Sequence, residues 1–178
     1  LQSVLSLPLQ LDSSNTQALE KAMRMYNGKA MINSVNGKQS SMSEVFPLVQ
    51  KYGGVVVCLC LDESGIPETA QGRIDIAKKI IKTAESYGID KKDLVVDALV
   101  MTISTNKDNA KETLKAVDYI RHELGVGTVL GVSNISFGLP KREAINTAFF
   151  TLALKAGLSA GIINPLSESM MNAYYSYN

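Results

Sequence analysis

Short apolar runs that each end in an Asp or Asn recur six times along the chain: PLQL before Asp12, AMI before Asn33, VVVCLCL before Asp62, LVV before Asp97, TVLGVS before Asn134 and GII before Asn164. Their spacings of 21, 29, 35, 37 and 30 residues are each about the length of one strand-plus-helix unit. Between the runs the pattern turns helical. Ser14 or Asn15 can cap a helix whose apolar positions Ala18, Leu19, Ala22, Met23 and Tyr26 stop at Gly28. Ser43 reads as the cap of SEVFPLVQKYG, with Glu44 in the first turn, Pro47 early enough to be tolerated and Gly53 at the stop. A third helix is predicted over 68–87, with Ile74, Ala77, Ile80, Ile81 and Ala84 on one face, and others over 110–124, 142–156 and from 168 onward.

Strand and helix therefore alternate, and runs such as VVVCLCL, apolar without alternation, point to strands covered on both faces in a parallel sheet. An open doubly wound sheet and a closed barrel both satisfy that pattern. The Asp or Asn after every strand favours the barrel, because there all strand ends face one mouth, whereas an open sheet uses only those at its switch point. The six residues are thus expected to converge on one pocket. An eight-unit barrel takes about 250 residues, so this chain, at 178 residues, reads as six units of a larger barrel, with two units missing.

Composition narrows the chemistry. With 46% apolar residues the chain can build a substantial core. Its 18 basic and 17 acidic residues leave a net charge of +1 and no long basic run, which argues against nucleic-acid binding. No apolar stretch approaches the roughly 20 residues of a membrane span, and the first ten residues lack the charged start of a signal peptide, so a cytoplasmic protein is expected. Cys58 and Cys60, two apart on one strand, point to the same face and read as small buried hydrophobes. No metal site is expected, since the one histidine, His122, lies in a helix away from them.

An Asp or Asn after a strand is often only a turn-former or cap. Asp62 opens the turn-rich DESGIP and fits that reading, whereas Asp97 directly follows Leu94, Val95 and Val96, and Asn134 ends the run TVLGVS. No lysine lies inside a predicted strand, which disfavours a Schiff-base nucleophile, and no tryptophan is present to stack sugars beside a carboxylate pair. What remains is a rim of amides and carboxylates, suited to a flat heterocycle with many donors and acceptors, such as a pterin.

The segments LQLDSSN (9–15), MINSVNG (31–37), YGGVVVCLCLDESGIPETAQGRIDIA (52–77), VVDALVMTIST (95–105) and GVSNISFGLPKREAINTAFFTLALKAGLSAGIINP (131–165) resemble the pterin-binding methyltransferases. That family includes methyltetrahydrofolate:corrinoid protein methyltransferases and the folate domain of cobalamin-dependent methionine synthase. The resemblance implies an α/β fold, a TIM (β/α)8 barrel of the dihydropteroate synthase-like type. Residues 1–178 would form one pterin-binding barrel domain holding the third to eighth units, without the first two strands and the end of the last helix. It implies pterin contacts from Asp12, Asn33 and Asp97, and a catalytic role for Asn134 beside N5 of 5-methyltetrahydrofolate. Lys141 and Arg142 could meet a folate glutamate tail, or be two solvated charges opening a helix. The corrinoid (cobalamin) would arrive on a partner protein or another domain, since this chain has no Asp-x-His-x-x-Gly motif. A homodimer through outer helices is the assembly the resemblance suggests. Two alternatives stay open: dihydropteroate synthase, whose serine-arginine-lysine pattern is replaced here by VSNISFGLPKR, and an inactive folate-binding fragment.

Overall fold

Six strands alternate with six α-helices in the computed structural model, which describes residues 1–177. Strands β1 (Gln10–Asp12), β2 (Met31–Asn36), β3 (Val55–Leu59), β4 (Leu94–Asp97), β5 (Gly127–Gly131) and β6 (Ala160–Ile162) form one sheet in chain order, every neighbouring pair parallel. No strand is out of sequence, which is the order of a barrel wall and not of a doubly wound sheet. β1 pairs only with β2 and β6 only with β5, so the wall is open and curled, a partial barrel.

Helices α1 (Thr16–Met25), α2 (Gln39–Tyr52), α3 (Ala70–Ser86), α4 (Asn109–His122), α5 (Arg142–Lys155) and α6 (Glu168–Tyr177) pack each against the next. Their apolar stripes meet the sheet: α3 buries Ile74, Ile76, Ala77, Ile80, Ile81 and Ala84, while Ile32, Val56 and Leu94 of the strands are sealed from solvent. The cap of α1 is Asn15, whose Oδ1 accepts the Ala18 N–H at 2.9 Å, and that of α3 is Thr69. Cys58 and Cys60 are both buried and unbridged. No helix among the described residues is long and apolar enough to cross a membrane.

Ser43 does not open α2. The helix begins a turn earlier, at Gln39, so Pro47 lies in its interior and cannot donate to the carbonyl four residues back. The early start follows from the strand end before it. Gly37 N–H is held by the Leu61 carbonyl at 2.8 Å, and Asn36 Oδ1 accepts the Lys38 N–H at 3.0 Å, so the chain is turned into the helix before Ser43 is reached. Fully buried Met42 and Phe46 fix it against the core.

Gly54 marks a close approach. It has φ +151°, and a Cβ there would stand 2.6 Å from Ile32 Cδ1 and 3.3 Å from the Ala30 carbonyl oxygen, where the chain enters β3 beside β2. Gly54→Ala is expected to destabilise the fold by about 1–3 kcal/mol, measured as a lower urea midpoint with an unchanged slope.

Candidate functional site

Parallel pairing places the strand ends on one rim. Asp12 ends β1 and lies in register with Asn33 of β2, and the Asn33 amide donates to Asp12 Oδ2 at 3.2 Å. Asn33 is not the last residue of its strand, as the sequence suggested, but precedes a register shift in which Ser34 is the extra residue against β3. Such a bulge re-aims the side chains around it. Asp97 ends β4, two strands along, about 10 Å from β2 at ordinary strand spacing. Asn134 lies three residues beyond β5, in a short 3-10 helix over Val132–Ser136.

The rim residues do not share one pocket. Asp12 and Asn33 line a cleft of about 450 Å³ with Ser34, Asn36 and Glu44, between the strand ends and the first turns of α1 and α2. Asn164 lines another, of about 540 Å³, with Ser133, Arg142 and Asn146. Asp97 and Asn134 line neither.

Their roles in the local structure also differ. Asp62 Oδ1 accepts the Ser64 N–H at 2.8 Å and Asn164 Oδ1 the Leu166 N–H at 3.0 Å, so both shape turns after their strands. The Asn134 amide makes no hydrogen bond among the described residues. It folds back over the end of β5, where a Cβ on Gly131 would stand 3.3 Å from its Nδ2. Its loop is braced from two sides. Thr102 and Ser104 hydroxyls donate to the Phe137 carbonyl at 2.8 and 3.1 Å, and Ile103 N–H donates to the Ile135 carbonyl at 3.0 Å. Arg142 donates from Nε to Ser136 Oγ and from Nη2 to the Ser133 carbonyl, each at 3.0 Å. Arg142 is thus a loop brace, while Lys141 stands exposed at φ 52°. These braces went unread in the sequence, where Thr102 has no special neighbour and Arg142 looks like a surface charge.

Asp97 is the electrostatic centre of the rim. The residue is 8% exposed, and burial pushes its carboxyl pKa up to about 6, against the opposing pull of the Leu99 N–H, which donates to Oδ1 at 2.8 Å, and the positive charge of Arg73. The other oxygen, Oδ2, makes no hydrogen bond among the described residues. A buried carboxylate with a free oxygen is an acceptor waiting for donors. The neighbouring thiols are inert: burial pushes Cys58 up to about 12, and raises Cys60 well above its usual value, with the Asp97 charge adding to it.

A family model described as pterin binding enzyme matches residues 1–164. The methionine synthase of Mycobacterium tuberculosis is 34% identical over 181 residues, covering 94% of this chain but 15% of its own length. A protein of Eubacterium limosum named methylcorrinoid:tetrahydrofolate methyltransferase is 27% identical over 181 residues, covering 99% of this chain and 66% of its own. Among solved structures, dihydropteroate synthase of Yersinia pestis, in a sulfonamide drug complex, superposes with a TM-score of 0.75 at 15% identity, covering 99% of this chain and 67% of that one. The enzyme of Coxiella burnetii, in complex with pteroic acid, gives 0.72 at 14%, covering 99% and 69%. The dihydropteroate synthase-like barrel fold expected from the sequence is thus the fold observed.

Because the folded Asp97 pKa lies above the ordinary carboxyl value of 3.8, the native state binds this proton more tightly than the unfolded chain does. Stability linked to it is full below about pH 4, falls as pH rises towards 6, and is absent above, a loss of up to about 3 kcal/mol. Asp97→Asn, which keeps an acceptor for Leu99, is expected to raise stability in urea unfolding at pH 7.5 and to have little effect at pH 4.

Proposed function

The chain belongs to the pterin binding enzyme family, and on that premise we propose that it binds 5-methyltetrahydrofolate and transfers the N5 methyl group to Co(I) of a corrinoid carried by a partner protein or another domain. The observation that carries the reading is Asp97, a buried carboxylate with one oxygen fixed by Leu99 and the other free at the strand rim. A pterin's 2-amino group and ring N–H lie side by side as donors, and a carboxylate meets such a pair with an energy that a solvated acceptor cannot match. Asp12 and Asn33, already joined at 3.2 Å, supply both an acceptor and a donor for the other edge of the ring.

Asn134 would act at N5. Tetrahydrofolate leaves poorly unless N5 gains a proton or a hydrogen bond as its bond to the methyl carbon breaks. The corrinoid, when bound, supplies the nucleophile that takes the methyl group. A free amide on a doubly braced loop can donate a hydrogen bond that strengthens as charge develops on N5, which lowers the barrier without a nucleophile from this chain. Transfer in either direction passes through the same transition state, so the reading holds equally for the reverse direction, from methylcorrinoid to tetrahydrofolate, for which the Eubacterium limosum relative is named. Lys141 is the better placed of the two cations for a glutamate tail, because Arg142 is occupied in the loop.

The chain spans about 15% of the length of the methionine synthases it matches, so the acceptor is assigned to whatever carries the corrinoid. The competing enzyme reading, dihydropteroate synthase, rests on backbone likeness at 14–20% identity, below the 34% shared with a methionine synthase. Methyl transfer to a reduced corrinoid, measured beside condensation with p-aminobenzoate, separates the two. Failure of both, together with no heat of folate binding, would leave the reading of an inactive fragment.

Asn134→Ala is expected to lower methyl transfer roughly a hundredfold with little change in pterin affinity. Asp12→Asn and Asp97→Asn should instead weaken binding, and equal losses for all three in a methyltetrahydrofolate titration would refute this division of roles. Since binding needs the Asp97 carboxylate ionised, affinity should fall about tenfold per pH unit below pH ~6 and level off above it. Calorimetry from pH 5 to 8 reads this directly.

A further inference from the structure

Arg73, on the inner face of α3, is wholly buried, a rare state for a cation without a carboxylate partner. It forms no ion pair among the described residues. Its Nε donates to the Pro67 carbonyl at 2.9 Å, its Nη1 to the Leu99 carbonyl at 3.0 Å and to Thr113 Oγ1 at 2.6 Å, and its Nη2 has no partner. Thr113 Oγ1 lies 3.3 Å from the Leu99 carbonyl, while its single proton is better placed for the Asn109 carbonyl at 2.8 Å. Leu99 is itself unusual. It carries a side chain at φ 62°, in the left-handed region that a leucine seldom enters, and its N–H is the group that reaches Asp97 Oδ1 at 2.8 Å. One residue is therefore gripped from both ends, its carbonyl by Arg73 and its N–H by Asp97.

We infer that Arg73 is a positioning residue of the rim: by holding the Leu99 carbonyl from beneath, it fixes the left-handed turn that commits one oxygen of Asp97 to Leu99 and presents the other to the ligand. A structural cation could be replaced at this place by an apolar side chain of similar size, which would pack α3 without a desolvation cost. The guanidinium instead has only neutral acceptors, so its charge stays unquenched and acts on the acids around it. The groups that face it are Asp97 at the end of β4, Cys60 after β3 and Glu112 of α4. Of these, Asp97 combines burial with a free oxygen at the strand rim. Arg73 thus does two things to that carboxylate. It orients it through Leu99, and it favours its ionised form through space.

The inference rests on the proposed pterin role of Asp97 only for its affinity arm; the titration arm needs no ligand. The experiment follows the Asp97 carboxyl by 13C NMR in the ligand-free protein and measures methyltetrahydrofolate affinity by calorimetry, for Arg73→Met, Arg73→Lys and Thr113→Val. Arg73→Met is expected to raise the Asp97 titration midpoint by about several tenths of a unit, through the lost positive charge and the loosened Leu99 N–H. Arg73→Lys keeps the charge but cannot span the Pro67 and Leu99 carbonyls together. Its midpoint should stay near that of the unsubstituted protein, while affinity at pH 8 falls several-fold and the Leu99 amide resonance moves. An unchanged midpoint in folded Arg73→Met overturns the inference. If that variant does not fold, Thr113→Val decides, because it removes the hydroxyl that accepts from Arg73 Nη1 at 2.6 Å and helps to hold the guanidinium against the Leu99 carbonyl. Movement of the Leu99 amide or of the Asp97 midpoint then supports the inference, and no change in either overturns it. A raised midpoint in a protein that binds no folate leaves Arg73 in its role and refutes the proposed function instead.

Discussion

The parallel hydrogen-bond ladder from β1 to β6, running in chain order without a reversal, is the constraint on which everything else depends. A parallel strand needs a crossover to return, and here each crossover carries one α-helix, so each strand begins at the same edge and ends at the same rim. Asp12, Asn33, Asp97 and the loop of Asn134 meet that rim because of the ladder, although 122 residues separate the first from the last. The helices then cover the outer face with apolar stripes. The polar chemistry is left to the strand ends and the loops after them.

Within that frame Asp97 sets stability against function. Burial works against its charge, and the chain relieves this only in part, through one N–H and an unpaired arginine. A carboxylate fully satisfied by the protein would have nothing left to offer a ligand. The same incompleteness that weakens the ligand-free fold above pH ~6 is what makes the site selective for a ring presenting adjacent donors. Asn134 follows a different logic. Its amide is exposed and makes no hydrogen bond among the described residues, and its order comes from the loop beneath it, braced by Thr102, Ser104 and Arg142.

Among the described residues the rim is divided. Two clefts, one by β1 and β2 and one by β6, hold Asp12 with Asn33 and Asn164 with Ser133, while Asp97 lies on the strand between. The solved dihydropteroate synthases it superposes on are longer, with this chain covering 67–69% of each. The likeness carries the fold. The choice of chemistry comes from the residues at the rim.

The sequence by itself determined the order of elements, the parallel sheet and the barrel direction, because strand and helix periods and the Asp or Asn after each run are local signals that tertiary packing reinforces. It also set Asp62 apart, whose carboxylate serves a turn two residues on. Tertiary structure alone decided the rest. The start of α2 moved from Ser43 to Gln39 because Asn36 and Leu61, neither of them part of the helix, turn the chain there. Asn33 became a bulge position, since register belongs to a pair of strands and not to one. Arg73 in the run QGRIDIA carries no mark of burial, and Leu99 none of a left-handed turn. Both states arise where α3, α4 and the loop after β4 meet, and a contact among three distant segments leaves no period in any one of them.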